Sequence, residues 1–172
     1  ITDDLLDLFD AGILNGQRKS VDNGRVVTGA AIGTARLYDR VTDDQFLFRN
    51  SKYTHCSTTL ARLDNFVSIN SAIEVDLFGQ VNSETIGHQQ VSGCGGALDF
   101  VRGANLSRGG RAIIAMPSTT AAGKSKIVPR LAPSTPVTIS RSDAVIVVTE
   151  HGVADLRNLN NSERELALIS IA

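Results

Sequence analysis

The chain has 172 residues, of which 42% are hydrophobic and 20% are charged, and its formal net charge is −1. This composition is typical of one globular domain, and the small net charge with only 5% aromatic residues argues against a nucleic-acid partner or an anionic-membrane surface. No apolar run reaches membrane-spanning length. The two cysteines, Cys56 and Cys94, have neither metal-ligand nor disulfide-framework spacing, so we expect no metal and a cytoplasmic location.

The first residues predict a helix, because Asp3 and Asp4 suit a helical first turn and the leucines that follow recur at helical spacing. The chain does not begin with Met and enters this helix at once, so we expect it to be part of a longer protein. Further along, the pattern predicts a strand at 25–31, a helix from Gly33 to Tyr38, a strand at 46–48, a polar loop at 51–57, a helix at 58–63 and a strand at 65–70.

Residues 71–103 form the stretch around which the other predicted elements are arranged. Ile73, Val75 and Leu77 alternate with polar residues, which predicts a strand with one buried face. A turn at 78–80 and a polar loop lead to the glycine cluster at 93–96, and a helix is predicted from Ala97 to Ala104. Strands follow at 112–116, 127–128, 137–139 and 144–148, and a capping box at 162–165 opens a last helix. This alternation predicts an α/β fold with a mostly parallel or mixed open sheet flanked by helices.

The glycine cluster is the strongest candidate site. Glycines at a loop-to-helix junction leave backbone N–H groups bare and allow a ligand to approach the backbone closely, which suits an anion or an oxyanion. The alternative is that Gly93, Gly95 and Gly96 serve only the backbone conformation of a turn. The order of the glycines does not match a dinucleotide-binding motif.

Other polar groups have weaker signals. Lys124 and Lys126 lie in a basic loop that can meet a phosphate, although the glycine spacing required for a P-loop is absent. Glu74, Asp76 and Glu84 form either a carboxylate site or, as we favour, an outward strand face. Four charged residues directly follow the predicted central strand, where ligands gather in α/β proteins, although pairs among them can equally be structural: Glu150, His151, Asp155 and Arg157.

Four segments resemble the C-terminal domain of the acetyl-CoA hydrolase/transferase family, and within it the 4-hydroxybutyrate CoA-transferases: SAIEVDLFGQVNSE, SGCGGALDFVRGA, KIVPRL and VVTEHGVADLRN. The resemblance extends from about Gly29 to the end of the chain. It implies a CoA-transferase-like fold of the NagB/RpiA type and places residues 1–172 in one domain, the C-terminal domain of a longer two-domain enzyme.

The resemblance also implies a reaction. Members of the family move CoA between acyl groups through a glutamyl-CoA thioester, with acyl-CoA and a small carboxylic acid as partners and with no cofactor beyond CoA as substrate. It implies oxyanion-hole amides at Gly95 and Gly96, CoA or substrate contacts at Thr54, His55, Gly93 and Lys124, and a homodimer for the full-length enzyme. The nucleophilic glutamate is expected just upstream of Ile1. An acetyl-CoA hydrolase and a catalytically incomplete CoA-binding module remain the alternatives.

Overall fold

The structure is a computed structural model that describes all residues from Ile1 to Ala172. Its helices α1 to α6 are Asp3–Asp10, Ala35–Arg40, Ser51–Thr54, Ser57–Ala61, Ala97–Leu106 and Asn161–Ile169. Its strands β1 to β11 are Val26–Thr28, Phe46–Phe48, Val67–Asn70, Glu74–Asp76, Val81–Asn82, Thr85–Ile86, Gln89–Gln90, Arg111–Ala115, Ile127–Val128, Ile146–Thr149 and Gly152–Asp155.

The first 48 residues build a small α/β layer. Strands β1 and β2 pair in parallel, and helices α1 and α2 pack against them around a separate cluster of four buried side chains. In α1 the burial follows the helical period, since Leu6 and Phe9 are buried while Leu5 and Leu8 face solvent. The members of the cluster are Leu6, Phe9, Leu37 and Phe46.

The main core lies on a four-stranded sheet of order β11-β10-β8-β3, parallel except for the β10–β11 hairpin. Helix α5 packs on one face of this sheet and contributes Val101 and Ala104, which are fully buried in the same core cluster as Ile114 and Val147. The central strands are apolar over most of their length, as expected where a sheet is covered on both faces. The core therefore fixes the start of α5 relative to the sheet.

A second sheet has the order β5-β4-β9, with β4–β5 antiparallel and β4–β9 parallel. Strands β6 and β7 form a separate hairpin, exposed except at Thr85, that leads to the glycine cluster. The mixed α/β class and the partly parallel sheet confirm the fold predicted from the sequence. No helix of the structure is both long enough and apolar enough to cross a membrane.

Several local predictions are wrong. Residues 51–57, expected as a polar loop, form α3 and the start of α4, because short helical turns built from serine and threonine give little periodic signal. The segment 137–139 makes only a single bridge, from Ile139 to Val81, rather than a strand. The last helix is capped by Asn160, whose side chain accepts from the Glu163 N–H, so the capping box starts two residues earlier than predicted.

Candidate active site

The glycine turn before α5 presents free backbone donors. Gly95 has φ +52°, a left-handed conformation that favours glycine, and Gly96 is the N-cap residue of α5. The Gly96 carbonyl accepts from the Phe100 N–H at 3.1 Å, whereas the N–H groups of Gly95 and Gly96 donate to no atom of the chain. The turn is exposed at Gly95 and half-buried at Gly96. Two adjacent donors at a helix N-terminus can hold an anionic oxygen.

The imidazole of His55 lies directly against this turn. A Cβ placed on Gly96 would overlap the Cδ2 and Nε2 atoms of His55, so only glycine fits here without displacing the ring. The ring of Phe100, one turn into α5, also packs against His55, with a centroid separation of 4.9 Å. The Nδ1 atom of His55 is 2.8 Å from the Thr54 hydroxyl oxygen, a hydrogen-bonding distance that fixes the ring orientation. Nε2 is thereby held beside the free N–H groups.

Helix α3 brings Thr54 and His55 to the site and is anchored to the first layer. The Tyr53 hydroxyl donates to the Asp22 carboxylate at 2.7 Å, and the hydrogen bond to Asp22 is the main cause that raises the pKa of Tyr53. Gly29, which follows β1, lies beside the same helix, since a Cβ on it would be 3.8 Å from the Thr54 hydroxyl oxygen. The end of α3 therefore contacts two features of the fold: Thr54 lies beside the carboxyl end of β1, and His55 lies beside the glycine turn.

A cavity of about 1090 Å³ opens next to these residues. It extends between the first layer and the four-stranded sheet, and hydrophobic and polar side chains line it in similar measure. Thr54, His55 and Phe100 form part of its wall, together with Val27 and Val67. Cavities of this size accommodate small-molecule ligands.

The structure brings most of the predicted site residues together and leaves one apart. Thr54, His55 and Gly96 are in contact, and Gly93 and Gly95 belong to the same turn. Lys124 is exposed on a hairpin loop, where its backbone bonds only to Thr120, and no hydrogen bond or ion pair connects it to the glycine turn.

The carboxylates of Glu74, Asp76 and Glu84, which the sequence offers as a carboxylate site or an outward strand face, all accept hydrogen bonds from other residues of the protein. Asp76 is fully buried, so the expectation of an outward strand face is wrong for this residue. Its carboxylate accepts from the N–H groups of Phe78 and Gln80 at 3.0 and 2.9 Å, which stabilises the tight turn between β4 and β5. Glu74 accepts from Asn82 at 3.0 Å and Glu84 accepts from the Thr138 hydroxyl at 2.9 Å. These contacts are structural.

Glu150 is held at the carboxyl edge of the main sheet by Ser118, which the sequence analysis did not single out. Hydrogen bonds from the backbone N–H of Glu150 itself, then from the hydroxyl and N–H of Ser118, lower the pKa of Glu150 to about 2. Glu150 and Ser118 follow the neighbouring parallel strands β10 and β8. Their shared position after these strands is the sequence signal that could have predicted their contact. The Asp155 carboxylate pairs with the Arg157 guanidinium at 2.6 Å, in agreement with the prediction that charged residues of this segment can form structural pairs.

Cys56 has an acidic thiol next to the site. Hydrogen bonds from the Thr58 hydroxyl, the Thr59 N–H and the Thr59 hydroxyl, in that order of effect, lower the pKa of Cys56 to about 7. Cys94, in the glycine turn, is exposed.

In this mixed α/β fold two free N–H groups lie beside an imidazole that lines a large cavity, an arrangement that can bind an anionic or polarised oxygen. The chain belongs to the acetyl-CoA hydrolase/transferase family: the family model for the acetyl-CoA hydrolase/transferase C-terminal domain matches residues 33–172.

Relatives of known name agree with this assignment. The chain is 46% identical over 174 residues to the 4-hydroxybutyrate coenzyme A transferase of Clostridium kluyveri, covering 100% of this chain and 41% of that protein. It is 41% identical to the butyryl-CoA:acetate CoA-transferase of Anaerostipes caccae, covering 99% and 39%. It is 31% identical to the acetyl-CoA hydrolase of Neurospora crassa, covering 98% and 31%. The chain thus spans about two-fifths or less of these relatives.

Solved structures show the same fold. The chain superposes on RipA from Yersinia pestis with a TM-score of 0.92 at 41% identity, covering 100% of this chain and 39% of that one. It superposes on a 4-hydroxybutyrate CoA-transferase from Porphyromonas gingivalis with a TM-score of 0.85 at 36% identity, covering 100% and 40%.

Proposed function

We propose that this chain is the C-terminal part of an acyl-CoA:carboxylate CoA-transferase of the 4-hydroxybutyrate/acetate type. The observation that carries the proposal is the pair of free N–H groups at Gly95 and Gly96, beside His55, whose side chain lines a ligand-sized cavity. The names of the relatives support CoA transfer as the reaction class.

In the proposed reaction a glutamate carboxylate attacks the carbonyl carbon of the acyl-CoA thioester. The tetrahedral oxyanion collapses to a mixed anhydride as the C–S bond breaks and CoA leaves as a thiolate. The thiolate then attacks the glutamyl carbonyl, which releases the acyl carboxylate and leaves a glutamyl-CoA thioester. The acceptor carboxylate reverses these two steps and leaves as the new acyl-CoA, so no proton or electron is gained or lost overall.

The N–H groups of Gly95 and Gly96 serve as donors to each oxyanion. A preorganised donor of this kind contributes roughly 10²–10³ in rate. His55, oriented by Thr54, adds a third polar contact at the same place, and Gly93 shapes the approach to the turn. Lys124, exposed in the loop between β8 and β9, is proposed to contact CoA.

The nucleophile is proposed to precede Ile1. Each carboxylate discussed above already has structural partners: Asp76 caps a turn, Glu74 and Glu84 bind side chains, and Glu150 binds Ser118. The backbone nitrogen of Ile1 lies 2.7 Å from the Ala30 carbonyl oxygen, just beyond Gly29, and Gly29 lies beside Thr54. A residue shortly before Ile1 would therefore enter the site. The full-length protein is proposed to be a cytoplasmic two-domain homodimer that uses CoA as a substrate and no other cofactor.

The test is to trap the thioester. The full-length protein is incubated with acyl-CoA and then with borohydride, which reduces a glutamyl thioester to an alcohol detectable by peptide mass. We expect the modification on one glutamate upstream of Ile1, at a stoichiometry that falls when the acceptor acid is added first. An unmodified protein that still transfers CoA would refute the proposal.

Hydrolysis is the second candidate, favoured by the Neurospora crassa relative. In that case water resolves the glutamyl-CoA thioester and free CoA accumulates. CoA release measured with and without acetate separates the two, because transfer needs the acid and hydrolysis does not. A binding module without activity is the third candidate, and it is supported if acyl-CoA binds the full-length protein but no thioester forms.

A further inference from the structure

The tautomer of His55 decides what this side chain can do at the glycine turn. A neutral imidazole carries its proton on one ring nitrogen and has a lone pair on the other. The nitrogen that lies against Gly96 is Nε2. If Nε2 carries the proton, His55 can only donate a hydrogen bond to a ligand at the turn, whereas if Nδ1 carries it, Nε2 can act there as a base.

The Thr54 hydroxyl has two acceptors within reach. Its oxygen is 2.8 Å from Nδ1 of His55 and 3.3 Å from the carbonyl oxygen of Asn50. The Asn50 carbonyl already accepts from the N–H groups of Tyr53 and Thr54, at 3.0 and 3.1 Å, so both of its lone pairs are occupied. A separation of 3.3 Å is also longer than an ordinary O–H···O hydrogen bond. The hydroxyl proton therefore lies toward Nδ1 of His55.

The surroundings of the ring agree with a proton on Nε2. The N–H of Gly96 has no partner in the chain although the ring lies against this residue, so Nε2 does not serve as its acceptor. The ring also has no carboxylate partner, because its only hydrogen bond is the one to Thr54. In Ser-His-Asp triads a carboxylate on the second ring nitrogen stabilises the imidazolium that forms when histidine acts as a base. His55 lacks that support.

Packing keeps the ring in this orientation. The rings of His55 and Phe100 are in contact, with their centroids 4.9 Å apart, and the ring of Phe66 lies 6.5 Å beyond that of Phe100. On the glycine turn, a Cβ added to Gly96 would overlap both Cδ2 and Nε2 of His55. Because Nδ1 is bonded to Thr54 and Nε2 lies against Gly96, each ring nitrogen has a fixed neighbour.

We propose that Thr54 is a positioning residue that keeps His55 in the neutral tautomer with its proton on Nε2, and that this tautomer favours CoA transfer over hydrolysis. Nε2–H then lies beside the free N–H of Gly96 as a further donor to an oxyanion. The inference rests on the proposed glutamyl-CoA reaction and selects between its two outcomes, transfer to an acid and hydrolysis by water.

Hydrolysis needs a proton acceptor that transfer does not need. When water attacks the glutamyl carbonyl carbon, the C–S bond breaks, one water proton passes to the CoA thiolate and the other is released as the glutamate ionises. A base beside the carbonyl accelerates this step by taking the first proton. The acceptor acid attacks as a carboxylate and has no proton to lose. With Nε2 protonated and Nδ1 bonded to Thr54, His55 has no lone pair available for the water.

NMR of the full-length protein labelled with ¹⁵N-histidine measures the tautomer directly, because a protonated ring nitrogen and one with a lone pair have different chemical shifts. The spectra are recorded at about pH 8, above the ordinary histidine pKa of about 6.5, so that the ring is neutral. The His55 signals are those missing from the His55→Ala spectrum. We expect a protonated Nε2 and an unprotonated Nδ1. A protonated Nδ1 with an unprotonated Nε2 would overturn the proposal, whatever the activity.

Two variants of Thr54 supply the functional readout. Thr54→Val keeps the shape of the side chain but removes the hydroxyl, so part of the His55 population should move its proton to Nδ1. We expect the ratio of CoA hydrolysis to CoA transfer to rise by about tenfold or more. Thr54→Ser keeps the hydroxyl and should restore both the wild-type tautomer and the wild-type ratio. An unchanged tautomer or an unchanged ratio in folded Thr54→Val would contradict the proposal, and if this variant does not fold, the wild-type tautomer decides alone.

The inference and the proposed function fail in different ways. If no glutamyl thioester is trapped, the proposed reaction fails, whereas the NMR signals of His55 still report the tautomer. If the thioester forms but the wild-type protein releases CoA as fast without acetate as with it, the glutamyl-CoA reaction stands and the inference about His55 is overturned.

Discussion

The backbone N–H and the hydroxyl of Ser118 both donate to the carboxylate of Glu150, each at 2.8 Å, across the carboxyl ends of β8 and β10. The carboxylate is the acceptor for both groups, so the interaction is strongest when Glu150 is ionised. The backbone N–H of Glu150 itself has the largest effect on its carboxyl pKa, and together with the two Ser118 donors it lowers this pKa from 4.5 to about 2.

A depressed carboxyl pKa stabilises the fold only where the carboxylate is ionised. The contribution of Glu150 is complete above pH 4.5 and is lost as the pH falls toward 2. Glu150→Gln should therefore lower the urea midpoint at pH 7, and its difference from wild type should shrink through pH 4.5 to 2. Glu165→Gln, at an exposed site without a hydrogen bond, is the control. A pH-independent deficit in Glu150→Gln would contradict this prediction.

Gly96→Ala should reduce CoA transfer by about 100-fold, because the added Cβ overlaps the His55 ring and displaces the turn that carries the free N–H groups. Steady-state transfer rates measure the effect. Leu106→Ala is the control, since Leu106 is 66% exposed in the same helix and far from the turn in sequence. The double variant Gly96→Ala/His55→Ala should be no worse than Gly96→Ala alone, because removing the ring relieves the overlap. If the rate loss of the double variant equals the product of the losses of the two single variants, Gly96 and His55 act independently, which would contradict this prediction.

Asp76→Ala should destabilise the protein by about 3 kcal/mol, because the N–H groups of Phe78 and Gln80 lose their acceptor, and an unsatisfied buried donor costs about 1–3 kcal/mol. Urea unfolding measures this loss. Asp76→Asn keeps one oxygen acceptor, so its loss should be about 1 kcal/mol. Equal losses in the two variants would mean that the turn does not depend on these hydrogen bonds.

Gly103→Ala should be destabilising even though alanine is the better helix former by about 1 kcal/mol. Gly103 is buried in the middle of α5, where a Cβ would overlap the Cβ of Leu60 in α4. The thermal midpoint should fall, whereas Leu106→Ala, at a 66% exposed position of the same helix, should change stability by less than about 0.5 kcal/mol. A higher midpoint in Gly103→Ala would show that α4 can move aside at little cost.

The sequence predicts the periodic parts of this fold well. The strand at Phe46–Phe48 and the helix that starts at Ala97 are confirmed, because aromatic residues favour the first and helical apolar spacing favours the second. It does not predict the burial of Asp76, whose environment depends on the turn it caps. Nor does it predict the contact of His55 with Gly96, which are 41 residues apart and are brought together only by tertiary packing.

The central claim is that the backbone N–H groups of Gly95 and Gly96 hold the oxyanion, and a backbone ester tests it most directly. Replacing Gly96 with glycolic acid removes the N–H and adds no side chain. Because this N–H has no partner in the chain, the thermal midpoint should stay unchanged while kcat falls by roughly 10²–10³. The same replacement at Gly79, whose N–H donates to Asp76, should lower the midpoint and spare kcat. An unchanged kcat in the Gly96 ester would contradict the claim.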